Sequence, residues 1–194
     1  MLTFTSYAQD ESRWGGGVGY ATSLFSHTVG GVENEHTMIK LGVTREIRLY
    51  ENASVFYSME YSRISAAIPT YSTSLLGGDL VPAHDESASM ITLMAGGKRE
   101  KYDGLFYVSG AIILEYDFGA PEEYGYALQN GLGVMMGIGK DIHFNELYVL
   151  SIDPGVRLRS GINFRSGETG PTGDSNHSLM LDLAVTATFS YKFF

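Results

Sequence analysis

The chain has 194 residues, which suits one domain, and its formal net charge of -9 argues against a nucleic-acid partner, because backbone binding needs clustered Lys and Arg. The absence of cysteine excludes disulfides and thiol chemistry. No apolar run reaches the length of a transmembrane helix, about eighteen residues or more.

Residues 1–12 read as a flexible N-terminal remnant. Ser6 and Ala8 have the small size expected before a signal cleavage site, but the basic and long apolar parts of a signal peptide are missing. The stretch is either the tail of such a peptide behind an added Met or an ordinary disordered terminus.

Eight extended segments follow, each with apolar residues at period 2 instead of the 3.6 of a helix. The first spans about 14–26, with Trp14, Gly16, Val18, Tyr20, Thr22 and Leu24 on one face and small residues on the other. The second, about 37–49, sets Ile39, Leu41, Val43, Ile47 and Leu49 against Lys40, Gly42, Thr44, Glu46 and Arg48, with Arg45 interrupting the apolar row. The third covers about 54–65, with Val55, Tyr57, Met59 and Tyr61 opposite Ser58, Glu60 and Ser62. The fourth, about 86–98, has no clearly polar face. The fifth, about 104–117, places Ile112 and Leu114 opposite Ile113 and Glu115. The sixth, about 124–139, opposes Leu132, Val134, Met136 and Ile138 to Gly131, Gly133, Met135 and Gly137. The seventh, about 147–161, carries Asp153, Arg157 and Arg159 on its polar row. It also contains Pro154, which cannot donate a ladder bond and therefore predicts a bulge or a strand edge. The eighth, about 179–194, alternates most regularly, with Leu179, Leu181, Leu183, Val185, Ala187, Phe189, Tyr191 and Phe193 on one side.

The connectors around 50–53, 99–103 and 140–146 are short. Those at 27–36, 66–85, 118–123 and 162–177 include the longest. A membrane-crossing sheet must close on itself, because lipid cannot hydrogen-bond an open edge. The expected fold is therefore all-β: an eight-stranded antiparallel up-and-down transmembrane β-barrel over residues 13–194. Short turns and both termini would be periplasmic, and long loops external. Eight strands leave an interior just wide enough for side chains. Lys40, Glu46, Arg48, Glu60, Glu115, Asp153, Arg157, Asp182 and Lys192 fall on inward rows and are expected to pair there, because isolated buried charges are costly. Trp14, Tyr57, Tyr61, Tyr116, Tyr126, Tyr148 and Tyr191 suit interfacial girdles. The rival is a soluble barrel or sandwich with the smooth apolar face inside, which would expose Gly, Ser and Thr rows and bury nothing against the charged ones.

The strand alternation, the hairpin rhythm and the ending Tyr191-Lys192-Phe193-Phe194 make the chain similar to the small outer-membrane barrels typified by the OmpA transmembrane domain and OmpX. That resemblance implies residence in the outer membrane of a Gram-negative-type bacterium, among lipid and lipopolysaccharide. It also implies an assembly signal in Phe189, Tyr191, Phe193 and Phe194, read by the barrel-assembly machinery. Here the apolar register matches Phe189, Tyr191 and Phe193, and Phe194 lies one residue beyond. Members of such families include adhesins, serum-resistance factors, anchors, small-solute channels and lipid A-modifying enzymes.

Acidic residues crowd the expected outer loops: Glu33, Glu35, Asp79, Asp85, Glu86, Glu122, Glu123, Glu168 and Asp174. They either hydrate the surface, share divalent cations with lipopolysaccharide phosphates, or meet a host or envelope protein. Asp174, His177 and Ser178 contain the parts of an acyl hydrolase acting on lipid A. Yet His177 and Ser178 are adjacent, and neighbours on a strand face opposite ways. His27, His36 and His84 in loops and His143 in a turn have no metal-ligand spacing, and no metal or cofactor is expected. The leading expectation is a non-enzymatic barrel presenting surface loops. A narrow solute channel and a lipid A hydrolase are the alternatives.

Overall fold

The computed structural model describes residues 12–28, 35–68, 71–72, 80–102, 104–117, 131–162 and 177–193. Its strands are β1 (Ser12–Thr28), β2 (Glu35–Tyr50), β3 (Ala53–Ile68), β4 (Tyr71–Ser72), β5 (Leu80–Val81), β6 (His84–Lys101), β7 (Phe106–Asp117), β8 (Gly131–His143), β9 (Tyr148–Ile162) and β10 (His177–Phe193). The short pair β4–β5 forms its own two-stranded sheet. The other eight strands form one closed antiparallel barrel, with β10 paired back to β1. Closure leaves the wall without a free edge, as a sheet in hydrocarbon requires. Residues 1–11 lie outside the described set, and Ser12 is already the first residue of β1.

Stepping through partners from Arg13 gives Glu46, Phe56, Gly96, Ala111, Met135, Arg157 and Asp182, then returns to β1 at Ser23, ten residues further on. Eight strands with that stagger tilt by roughly 40–45°. With a strand rise of about 3.3 Å, each residue climbs about 2.4 Å along the barrel axis, and each step to the next strand around climbs about 3 Å. A strand such as β1 is therefore about 40 Å tall, against an apolar band of about 25 Å in barrels of this kind.

The period-2 rows decide which face meets what. Leu41, Val43, Ile112, Leu132, Val134, Leu158, Leu183, Val185 and Phe189 stand on the outer surface. Lys40 and Asp182, 1% and 0% exposed, are inside. That arrangement excludes the soluble alternative, which needs the reverse. The apolar exterior ends on one side at Trp14, Tyr148 and Phe189. On the other it ends near Tyr61 and Tyr116, where Arg63 turns to Ser87 at 2.8 Å and the Tyr61 hydroxyl lies 2.9 Å from Ser89.

Several boundaries differ from the sequence expectation. The turns at 51–52, 102–105 and 144–147 are tighter, because strands continue further: β8 runs through Asp141 to His143. Tyr102 and Gly104 both adopt positive φ (50° and 81°), which folds the second turn back on itself. Glu35, Asp85 and Glu86 belong to strands instead of loops, as do His27, His36 and His84. His143 ends β8 instead of lying in a turn. Pro154 produces neither a bulge nor an edge. It pairs with Val185 in unbroken register on the β10 side. Towards β8 the ladder skips from Gly137–Gly155 to Lys140–Ile152 at the same register, so the missing donor costs pairing without shifting the strands. Register shifts occur elsewhere, between Ser23 and Phe25 on β1 and between Arg48 and Tyr50 on β2.

Candidate functional site

The interior is organised as two charged layers with a small cavity between them. At the short-turn end, Arg13 Nη2 from β1 contacts Glu46 Oε1 at 2.7 Å and Asp141 Oδ2 at 2.6 Å. Lys98 Nζ from β6 lies 3.3 Å from Glu46 Oε2 and 3.1 Å from Asp141 Oδ1. Two cations and two carboxylates thus form a closed ring, and Ser54 and Ser151 donate to the same carboxylates at 2.6 and 2.7 Å. Lys98 also sits 3.8 Å from the centroid of the buried Tyr107 ring, which adds a cation–π contact. Ser109 donates to Asp153 at 3.1 Å.

The second layer lies nearer the outer end. Arg157 Nη2 crosses from β9 to Glu60 Oε2 on β3 at 2.8 Å. Arg159 spreads its guanidinium over several strands: Nε to Asp182 Oδ2 at 2.7 Å, Nη1 to Glu115 Oε2 at 2.9 Å, and Nη2 to His36 Nε2 at 2.9 Å. His36 Nε2 is also 2.9 Å from Asp182 Oδ1, so it donates to the aspartate or accepts from the arginine, but not both. Lys40 is buried in the same region, and Thr92 approaches Glu115 at 3.5 Å. Among the described residues the layer carries three basic side chains besides His36, against the carboxylates of Glu60, Glu115 and Asp182. Such matching keeps buried charge tolerable, but Lys40 Nζ has no hydrogen-bond partner among the described residues, contrary to the expectation that it pairs.

Between the layers is a cavity of about 70 Å³, bounded by Arg13 and Lys98 at one end and Glu60 and Arg157 at the other. Below the lower ring a recess of about 40 Å³ opens at the short-turn mouth, where Lys192, Glu100 and His143 lie. Arg48 sits at that rim and donates to the Tyr50 carbonyl at 3.2 Å and to the Glu51 carbonyl.

Small residues make room for these layers. A Cβ at Gly17 would come within 2.8 Å of Thr188 Oγ1. At Gly139 it would collide with the Tyr107 ring and the Ile152 carbonyl. Gly139→Val is therefore expected to push Tyr107 off Lys98 and to lower stability by about 1–3 kcal/mol, the usual range for overpacking. Denaturant unfolding in lipid vesicles measures this, and an unchanged midpoint contradicts it.

Sequence reasoning placed Arg159 on an inward row without a partner, and it missed Arg13, Lys98, Asp141 and His36. Parity was the available signal: Arg13 continues the row of Gly15 and Gly17, Lys98 that of Met94 and Gly96, and His36 that of Met38 and Lys40. Asp141 escapes because the sequence reading ends its strand at 139, four residues short of His143. Of the outer acidic residues, Asp85 is exposed on β6, while Glu33, Asp79, Glu122, Glu123, Glu168 and Asp174 lie outside the described residues. Of the hydrolase set, Asp174 is likewise outside, and His177 and Ser178 are consecutive in β10, paired to Ile162 and Gly161. No group of three His, Asp or Glu converges as a metal set among the described residues. In the terminal strand Phe189 stacks on Tyr148 with ring centroids 5.6 Å apart, and Tyr191 packs against Tyr148 at 5.2 Å. Phe193 ends β10, and Phe194 and Tyr126 lie outside the described residues.

An apolar exterior around a closed wall with charge inside defines a small outer-membrane β-barrel, whose short-turn end faces the periplasm in proteins of this class. Among solved structures, the outer membrane protein OprG from Pseudomonas aeruginosa is similar over 95% of this chain and 96% of that one, at 12% identity and a TM-score of 0.61. Ail, the attachment invasion locus protein of Yersinia pestis, solved in complex with the heparin analogue sucrose octasulfate, aligns over 94% of this chain and 99% of that one at 12% identity. Its TM-score of 0.47 is too low to support an argument. The first likeness supports the fold. No protein family and no curated protein sequence matches the chain.

Proposed function

We propose that this chain is a non-enzymatic outer-membrane barrel whose rigid wall holds surface loops for interaction with envelope lipid, lipopolysaccharide or another protein. The observation that carries this reading is the double layer of ion pairs across the lumen. A solute passing through would have to separate the Arg13–Glu46–Lys98–Asp141 ring and then the Arg157–Glu60 and Arg159–Glu115 pairs. Separating any of them leaves buried charge unpaired, at a cost of about 3–5 kcal/mol each. The terminal residues Phe189, Tyr191, Phe193 and Phe194 would serve the barrel-assembly machinery during insertion.

Planar-bilayer recording tests the reading. The folded protein is expected to be electrically silent. It is expected to stay silent when the lower ring alone is removed by Arg13→Ser with Asp141→Ser, because the upper pairs still close the lumen. A reproducible unitary conductance from the unaltered protein would overturn the proposal in favour of a channel.

A further inference from the structure

Three basic residues point outward at one level of the short-turn end: Arg45 on β2, Arg99 on β6 and Lys140 on β8, all exposed, with Lys101 two residues below Arg99 on the same row of β6. The three are far apart in sequence and on different strands. The register and tilt nevertheless bring them to one height, within about 4 Å along the axis. That is the height of Trp14 and Phe189, near the lower border of the apolar exterior, with Leu49 and Ile142 exposed below it. Among the described residues none of the three has a carboxylate at ion-pair distance. The interior cations, by contrast, are nearly all paired. Among the described residues the outer border of the apolar band has no such belt: Arg63 is there, bonded to Ser87 and Ser89.

Arg45 has a second feature. Its guanidinium lies 5.5 Å from the centroid of the Trp14 ring, a cation–π contact that holds it beside the wall. It stands at the lower end of an exterior groove of about 670 Å³ that runs upward over Ala95 between Tyr57, Met59 and Ile112. The groove is lined mostly by apolar side chains, and Arg45 is its one charged group. An acyl chain fills such a trough, and the guanidinium fork matches a phosphate oxygen pair at its foot.

We propose that the short-turn end of the barrel selects anionic glycerophospholipid, with the Arg45 groove as its principal site and Arg99 and Lys140 completing a belt of headgroup contacts. The occupant is a two-chain lipid carrying net negative charge. A zwitterionic lipid of equal chain length fits the groove but gives the belt no net attraction. Each basic residue near an anionic lipid surface contributes about a fivefold preference. Arg and Lys that merely extended towards water would show no preference between lipid classes.

The test is native mass spectrometry of the folded full chain released from mixed micelles. These contain equal amounts of phosphatidylglycerol and phosphatidylethanolamine with identical acyl chains. Phosphatidylglycerol adducts are expected to exceed phosphatidylethanolamine adducts by roughly a hundredfold, the product of three contributions of about fivefold each. Arg45→Gln should cut that ratio about fivefold, and Arg45→Gln with Arg99→Gln and Lys140→Gln should bring it near one. Arg63→Gln, at the opposite border, should leave it unchanged. Heat-modifiable migration on a gel shows that each variant is folded. Equal retention of the two lipids by the unaltered protein, a ratio that survives the triple replacement, or an equal loss with Arg63→Gln would each overturn the proposal.

Discussion

Arg159→Ala is expected to lower the stability of the folded barrel by about 3–5 kcal/mol, the cost of removing one side of a buried ion pair. The guanidinium touches Asp182, Glu115 and His36 from three other strands, at 2.7, 2.9 and 2.9 Å. Without it two carboxylates remain in a region that water reaches poorly. The loss is therefore larger than a deleted contact alone would produce. Arg159→Lys should also be destabilising, because one ammonium cannot span three directions as the planar fork does. Adding Glu115→Gln and Asp182→Asn to Arg159→Ala should restore part of the stability by removing the stranded charge. Equilibrium unfolding by guanidinium chloride in vesicles, followed through Trp14 fluorescence, gives these differences. A loss below 1 kcal/mol in Arg159→Ala would mean the upper layer is solvated rather than sealed.

The second large effect concerns the exterior. Leu41 lies on the outer row of β2, near the middle of the apolar band by the axial rise derived above, and Leu49 lies on the same row below its lower border. Leu41→Arg should cost about 2–4 kcal/mol, and Leu49→Arg about 0–1 kcal/mol, following the depth dependence of charge on a lipid-facing strand. The two substitutions share residue type, strand and face. Only depth in hydrocarbon distinguishes them, so the ratio measures the position of the membrane. Equal costs would contradict the assignment of the smooth face to lipid.

Alternation at period 2 makes the strands and their faces legible in the sequence. The regular row from Leu179 to Tyr191 and the mixed row from Lys40 to Arg48 are both where parity put them. The fourth segment lacked a polar face because Met90, Thr92 and Met94 meet other lumen side chains instead of water, so its inside was camouflaged. Partnerships inside the lumen were not legible. Arg157 meets Glu60 across 97 positions of sequence, and that meeting depends on the stagger accumulated around the whole wall. Changing the stagger by two residues would keep every face unchanged and re-pair the charges. Pro154 misled for a related reason. A missing donor announces a defect, but the neighbouring pairs hold register on both sides and confine it to a gap.

The wall does not stop where the lipid tails stop. On the β3 and β6 side the sheet continues roughly 10 Å past the upper tyrosines, given the axial rise of a tilted strand, and its outer face there turns polar with Arg63, Ser65, Asp85 and Ser87. The molecule is thus a chimney set off-centre in its membrane. On the proposed function, a partner docking at its summit would meet a stiff closed wall that stands clear of the hydrocarbon.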